Sequence, residues 1–257
     1  MRNRFDGKVI VITGAVGGIG AAACRLFARE GAHVVVSDLD EKRCAALAAE
    51  LSADGASADY VTADLKQKTA CEMLVETTIE RHAKVDVLVN NAGIIPRGDI
   101  LNTTDDMWHD AFAVNMHALF YLSRAVIPYM RDAGGGAVVN TSSTWGIHPG
   151  PNHVAYVTTK GAVASFTKSL ARDCAPLNIR VNAVAPNEVN TPMLRSGFEI
   201  RGLEPDEAIA ALNQTVPLGR IAEPEEIAST VLFLASEEAS YICGAIVEIS
   251  GAKAVYG

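Results

Sequence analysis

Tyr156 and Lys160 stand four residues apart in a stretch of helical periodicity, Val154–Ala175, so they share one face of a helix. A free phenol has a pKa of about 10, too high for a base near neutrality. A neighbouring ammonium favours the phenolate and brings that value down. Ser143 follows the apolar run Ala137–Asn140, where its hydroxyl can hydrogen-bond a reacting oxygen. Phenol, ammonium and hydroxyl together make a proton-transfer set. A Tyr-x-x-x-Lys pair taken alone is a common solvated helix face, so the reading depends on what accompanies it.

What accompanies it is a glycine-rich turn near the N-terminus. The run Val9–Ile12 leads into Thr13-Gly14-Ala15-Val16-Gly17-Gly18-Ile19-Gly20 and then a helical stretch. Glycines at Gly14, Gly18 and Gly20 permit a tight turn. They also let the backbone, with the N–H groups at the following helix start, approach a pyrophosphate. A second apolar run, Val34–Val36, ends at Ser37-Asp38. Asp38 lies 18 residues past Gly20, close to the ~20 expected of a carboxylate that binds the adenosine ribose hydroxyls. Such a carboxylate repels a 2′-phosphate. No arginine or lysine directly precedes Gly18 or follows Asp38, and Lys42 and Arg43 are further along. The expected cofactor is therefore NAD rather than NADP.

The elements that must position these groups alternate along the chain. Apolar runs at Val9–Ile12, Val34–Val36, Tyr60–Thr62, Val85–Val89, Ala137–Asn140, Ile179–Val184 and Ala245–Ile249 are separated by helical stretches, among them Ile19–Glu30, Asp105–Arg131 and Val154–Ala175. Strands this continuously apolar, alternating with helices, predict βαβ units around a parallel sheet covered on both faces. With 257 residues, no linker and no repeat, one domain over 1–257 is expected. The stretch 189–217 breaks the rhythm with Pro192, Gly197, Gly202 and Pro205, and holds a short helical piece at Asp206–Leu212. An insertion there predicts a substrate lid.

Composition excludes other classes. A net charge of −8 argues against nucleic-acid and anionic-membrane partners. No apolar run approaches the ~18 residues of a membrane span. Only four strongly apolar residues, Val9–Ile12, follow the start, fewer than the ~7–15 of a signal peptide, so the start is expected to belong to the fold. The five cysteines contain no CxxC, which points to neither a metal site nor a disulfide framework and fits a reduced, cytoplasmic compartment.

End to end, the chain resembles a short-chain dehydrogenase/reductase of the main, roughly 250-residue type. The resemblance is carried by the Thr13–Gly20 turn, Asp64-Leu65, Asn90-Asn91-Ala92-Gly93, Asn115, Ser143, Tyr156-x-x-x-Lys160 and Pro186…Thr191-Pro192. It implies a single-domain Rossmann fold, a doubly wound seven-stranded parallel sheet with helices on both faces. It implies Tyr156 as general acid/base, Ser143 orienting the substrate oxygen, and Lys160 binding the nicotinamide ribose while lowering the tyrosine pKa. Asn115 holds a water that links Lys160 to solvent. On the cofactor, Gly14, Gly18, Ile19 and Gly20 form the turn, Asp64 beside Leu65 meets the adenine, and Asn91 and Gly93 line the ribose. Val189 and Thr191 hold the carboxamide side, while Asn90 ties strands together. A homotetramer is implied as well.

The chain departs from the family pattern at Pro186-Asn187-Glu188, where Pro-Gly is usual, and at Gly251-Ala252-Lys253, where Gly-Gly is usual. Glu188 thus brings a carboxylate toward the substrate, whose other expected contacts are Arg97, Trp145 and His153, with Arg195 and Arg201 on the lid. A carboxylate that accepts from hydroxyls and an indole that packs on a C–H face suit a sugar or polyol. The leading expectation is an NAD-dependent sugar or polyol dehydrogenase. A 3-oxoacyl-thioester reductase is the alternative, against which Asp38 counts, and a non-catalytic NAD-binding regulator is opposed by the intact Tyr156 and Lys160.

Overall fold

Alternating apolar runs and helices lead, in a computed structural model that describes residues 3–253, to one seven-stranded parallel sheet of order β3-β2-β1-β4-β5-β6-β7. The strands are β1 (Val9–Thr13), β2 (His33–Ser37), β3 (Ser57–Tyr60), β4 (Val87–Asn90), β5 (Gly136–Thr141), β6 (Ile179–Pro186) and β7 (Ile246–Ile249). The helices are α1 (Gly18–Arg29), α2 (Glu41–Ala53), α3 (Lys68–His82), α4 (Asp105–Phe112), α5 (Ala118–Asp132), α6 (Val154–Cys174), α7 (Pro192–Glu199), α8 (Pro205–Asn213) and α9 (Pro224–Ala235). The first two and last four residues of the expected 1–257 domain lie outside the described residues.

Period-two alternation sorts each strand between two cores. Ile10 and Ile12 of β1 join Ala22, Phe27, Ile227 and Val231 on one face. Val9 and Val11 join Leu74, Leu122 and Val126 on the other. Both faces are covered, which is why the strands read as continuously apolar. β3 is the exception, lying three residues earlier than the run Tyr60–Thr62. It is an edge strand, exposed or half-buried at every position as β7 at the other edge is, but Ser57 and Asp59 break its apolar run.

The stretch Asp105–Arg131 is helical throughout, as predicted, with a π-helical turn, Ala113–His117, that joins α4 to α5 and carries Asn115 into the interior. Such bulges recur at functional sites. In the 189–217 segment, Pro192 and Gly197 do not break structure. Pro192 opens α7 at a position where its missing N–H costs nothing, and the Thr191 side chain caps the helix by accepting from Leu194 N at 3.2 Å.

Candidate active site

All strands run parallel, so their carboxyl ends gather at one edge, and β1 lies between β2 and β4 where the strand order reverses. Ligands of open α/β sheets bind in this crevice. The glycine turn leaves β1 there. Gly14 adopts φ +61°, and a Cβ on it would meet the Ala92 backbone at 2.7 Å; a Cβ on Gly20 would collide with the Gly14 carbonyl oxygen. The turn is closed enough that only glycine fits. α1 then starts at Gly18 with no side-chain cap and no acid in its first turn, leaving the Gly18, Ile19 and Gly20 end open to an anion. These features fit a dinucleotide.

Asp38 follows β2 beside this turn. Its Oδ2 accepts from Val16 N at 3.3 Å and its Oδ1 from Leu39 N at 2.7 Å. One residue escaped the linear reading: Arg43, in the first turn of α2, reaches back to donate to the Val16 carbonyl at 2.6 Å. A base therefore does stand at the glycine turn. The helix start at the Asp40 cap, a local signal, would have shown that residue 43 turns back toward the strand end. Asn91 ties the end of β4 to the turn, donating to Thr13 O at 3.2 Å and Gly14 O at 3.1 Å. Asn90 bonds Asn140 Oδ1 across the sheet at 2.9 Å, the strand-tying contact expected of it. Asp64 Oδ1 caps its own turn through Lys66 N, and Leu65 is buried beneath it.

Ser143, Tyr156 and Lys160 converge from β5 and α6. Tyr156 is half-buried. Burial pushes its hydroxyl above the ordinary value, and a hydrogen bond from Ser143 pulls it back. Lys160 Nζ donates to Thr141 O at 2.7 Å and lies 5.8 Å from the tyrosine ring centre. Burial also draws the Lys160 pKa down to about 8. Beside the ammonium read from the sequence, the structure thus adds burial, which raises the phenol, and Ser143, which opposes that rise.

Asn115 reaches Lys160 through the backbone around Gly93. A Cβ at Gly93 would lie 3.3 Å from Asn115 Oδ1 and 3.4 Å from Lys160 Nζ. The asparagine accepts from Ile94 N at 2.8 Å, and donates to Ile94 O at 2.9 Å and Thr159 Oγ1 at 3.1 Å. Thr141 and Thr159 were invisible as site residues, because a threonine on a strand or helix carries no distinctive spacing.

On the substrate side, Trp145 and His153 meet edge to face with ring centres 4.7 Å apart, and Trp145 N donates to Ser143 Oγ at 3.2 Å. Arg97 is brought to the same place, since Gly98 pairs with His153 as an isolated bridge. Val189 is buried and pairs with Ala222, and Thr191 lies against Gly18, whose added Cβ would meet its Cγ2 at 2.7 Å.

Glu188 requires a correction. The expectation of an unmet charge awaiting substrate hydroxyls loses its premise, because Lys253 Nζ pairs with Oε1 at 2.6 Å. The pairing of β6 with β7 brings the two together across 65 residues of sequence. Oε2 is buried without a partner, and the residue borders a cavity of about 70 Å³ with Leu218, Arg220 and Gly251. Glu188→Ala is now expected to strand the half-buried ammonium and cost about 1–2 kcal/mol of stability. Thermal unfolding checks this; an unchanged Tm with a raised substrate KM would return Glu188 to the substrate.

Among the described residues, His33, Asp59 and His82 form the one group with metal-type ligand atoms close together. They join β2, β3 and α3, away from the carboxyl edge. Burial opposes ionisation of Asp59, but hydrogen bonds from His33, His82 and Arg81 outweigh it and hold the carboxyl down to about 2.

Comparison with known proteins agrees with this geometry. Residues 14–251 match the family model described as Enoyl-(Acyl carrier protein) reductase. The chain is 36% identical to a 3-oxoacyl-(acyl-carrier-protein) reductase of Thermotoga maritima, over 96% of this chain and 98% of that one. It is 39% identical to a cyclopentanol dehydrogenase of Comamonas sp., over 96% and 97%. The crystal structure of levodione reductase superposes with a TM-score of 0.94 at 31% identity, covering 98% of this chain and 100% of that one. With the glycine turn, the serine, the tyrosine and the lysine gathered at one sheet edge, the chain belongs to the short-chain dehydrogenase/reductase family, oxidoreductases that act on CH–OH groups with a nicotinamide cofactor.

Proposed function

We propose that the protein is an NAD-dependent dehydrogenase of a compact secondary alcohol of the sugar or polyol class. The observation that carries the cofactor assignment is Asp38, its carboxylate held at the glycine turn by Val16 N. The turn and the α1 start would hold the pyrophosphate, Asp38 the ribose hydroxyls, and Asp64 with Leu65 the adenine. Asn91 and Gly93 would line the ribose, and Val189 with Thr191 the carboxamide side. When bound, the nicotinamide accepts the hydride.

The chain's own part is proton handling. Ser143 holds the substrate oxygen, and Tyr156 as phenolate takes the hydroxyl proton. Lys160 then faces Gly93 and Asn115, whose side chain bonds Ile94 and Thr159, a polar line from the buried ammonium outward. Trp145 presents a ring to the C–H face of the substrate. The polar and aromatic side chains of Arg97, Trp145 and His153 favour a polyol over an acyl chain. The segment 189–217, with α7 and α8, serves as the lid. No helix among the described residues is long and apolar enough to cross a membrane; the cytoplasm is the proposed compartment.

A screen of sugars, polyols and secondary alcohols with NAD and NADP, followed by the absorbance of the reduced cofactor, tests the assignment. NAD is expected to be preferred by more than roughly tenfold in kcat/KM, about 1.4 kcal/mol. Equal efficiency with NADP would mean that Arg43 offsets Asp38. Reduction of a 3-oxoacyl thioester with NADPH, at higher efficiency than any alcohol oxidation, would replace the dehydrogenase reading.

We also propose a homotetramer. Phe120 and Tyr129 on α5, Phe233 on α9 and Tyr241 ahead of β7 are exposed large apolar residues, on elements through which two separate interfaces can form. Sedimentation at micromolar concentration checks it, a monomer being the contrary result.

A further inference from the structure

Arg97 is a half-buried guanidinium beside which the described residues place no carboxylate and no hydrogen-bond acceptor. Burial depresses its pKa, the charge of Arg201 depresses it further, and no acid holds it up. A charge withdrawn from water without a partner is costly. Its charged neighbour, Arg201, has the same sign. Arg201 donates to the Gly197 carbonyl at 2.9 Å and lies 4.9 Å from the Phe198 ring centre, with no ion pair. His153 has its pKa lowered by burial, and then by the charges of Arg97 and Arg201. Arg195, in the same segment, shows the ordinary alternative: Asp206 neutralises it at 2.8 Å. In a chain with 30 acids and 22 bases, carboxylates are plentiful, yet among the described residues none stands at Arg97 or Arg201.

The position of this positive cluster says what it faces. Gly98 N donates to Asn152 O at 2.8 Å and Val154 N to Gly98 O at 3.3 Å, which fixes Arg97 beside the start of α6, one turn from Tyr156. His153 in turn packs on Trp145, whose N–H bonds Ser143. On its far side Arg97 meets the lid, where a Cβ on Gly197 would collide with its Nη2. The guanidinium therefore lies between the catalytic helix and α7, on the side of a molecule held by Ser143 and Tyr156.

We propose that Arg97, with Arg201, forms an oxyanion subsite, and that the substrate is a secondary alcohol carrying a carboxylate a few bonds from the reacting carbon. The proposal rests on the dehydrogenase reading and narrows it from polyols to their acids and other hydroxy acids. A carboxylate accepts two parallel N–H bonds from the planar guanidinium and relieves the repulsion between the two arginines. A neutral hydroxyl relieves none of it.

Matched pairs that differ by the carboxylate test this on the enzyme with NAD: 3-hydroxybutyrate with butan-2-ol, and gluconate with sorbitol. In a pair that turns over, the acid is expected to have the higher kcat/KM. Arg97→Gln is expected to cost the acid on the order of 10–100-fold more than the neutral member, the span of a charge-assisted hydrogen bond. Neutral members that match or surpass their acids, or an Arg97→Gln loss shared equally, would overturn the subsite while leaving the dehydrogenase intact. A second readout is independent of turnover. Succinate titrated into enzyme with NAD should quench tryptophan fluorescence saturably through Trp145, more weakly by at least roughly tenfold in Arg97→Gln and less so in Arg97→Lys. No saturable quench, or one that Arg97→Gln leaves unchanged, overturns the proposal. Succinate binding through Arg97 with no alcohol oxidised would instead keep the subsite and remove the dehydrogenase reading.

Discussion

Replacing Tyr156 with phenylalanine is expected to lower kcat by about 10²–10⁴-fold, the usual contribution of a positioned acid/base, while NAD binding survives. The phenol is the proposed proton acceptor in the alcohol-oxidising direction, and phenylalanine keeps the ring at the head of α6. The pH dependence has a definite sign. Oxidation needs the phenolate, so the rate rises with pH until the tyrosine has ionised. Burial puts that ionisation above the ordinary range, and the hydrogen bond from Ser143 lowers it. Ser143→Ala should therefore move the rising limb of the kcat profile to higher pH, beyond what lost substrate contact does to KM. Steady-state kinetics and a cofactor titration check both variants; activity within roughly threefold of the parent in Tyr156→Phe would remove the tyrosine from its role.

Lys160→Met is expected to abolish turnover and weaken cofactor binding, yet stabilise the protein alone. The ammonium is 4% exposed, and burial brings its pKa from 10.5 to about 8. A base whose folded pKa lies below its unfolded value binds fewer protons when folded. Stability therefore rises as pH climbs from about 8 to 10.5, and below 8 the buried charge is a full cost. That cost is about 3 kcal/mol from the shift, partly offset by the bond to Thr141 O that the methionine forfeits, leaving a net gain of about 1–3 kcal/mol at neutral pH. Thermal unfolding should show Lys160→Met above the parent at pH 7, with the gap closing toward pH 10. A lower Tm at pH 7 would mean that the Thr141 bond outweighs the burial of the charge. Tolerance of this cost marks the lysine as retained for function rather than for folding.

The sheet was legible in the chain because burial on both faces leaves a continuous apolar record on β1, β2, β4, β5 and β6; of the two edge strands, β7 keeps an apolar run, while β3, broken by Ser57 and Asp59, was misplaced by three residues. The glycine turn, Asp38, Ser143, Tyr156 and Lys160 were legible too, since backbone closeness admits only glycine at Gly14 and Gly20 and one helical turn places residues 156 and 160 together. Chain folding alone set the rest, because those features depend on residues far apart in sequence. The π turn that buries Asn115 arises from its bonds to Ile94 and Thr159. Arg43 stands at the glycine turn because the first turn of α2 lies beside the loop that follows β1. Lys253 meets Glu188 because β7 lies beside β6. Arg97 and Arg201, 104 positions apart, come together because α7 returns against the segment that pairs with the head of α6. Local pattern records which face of an element is dry; it holds no record of which charge will stand opposite another across the fold.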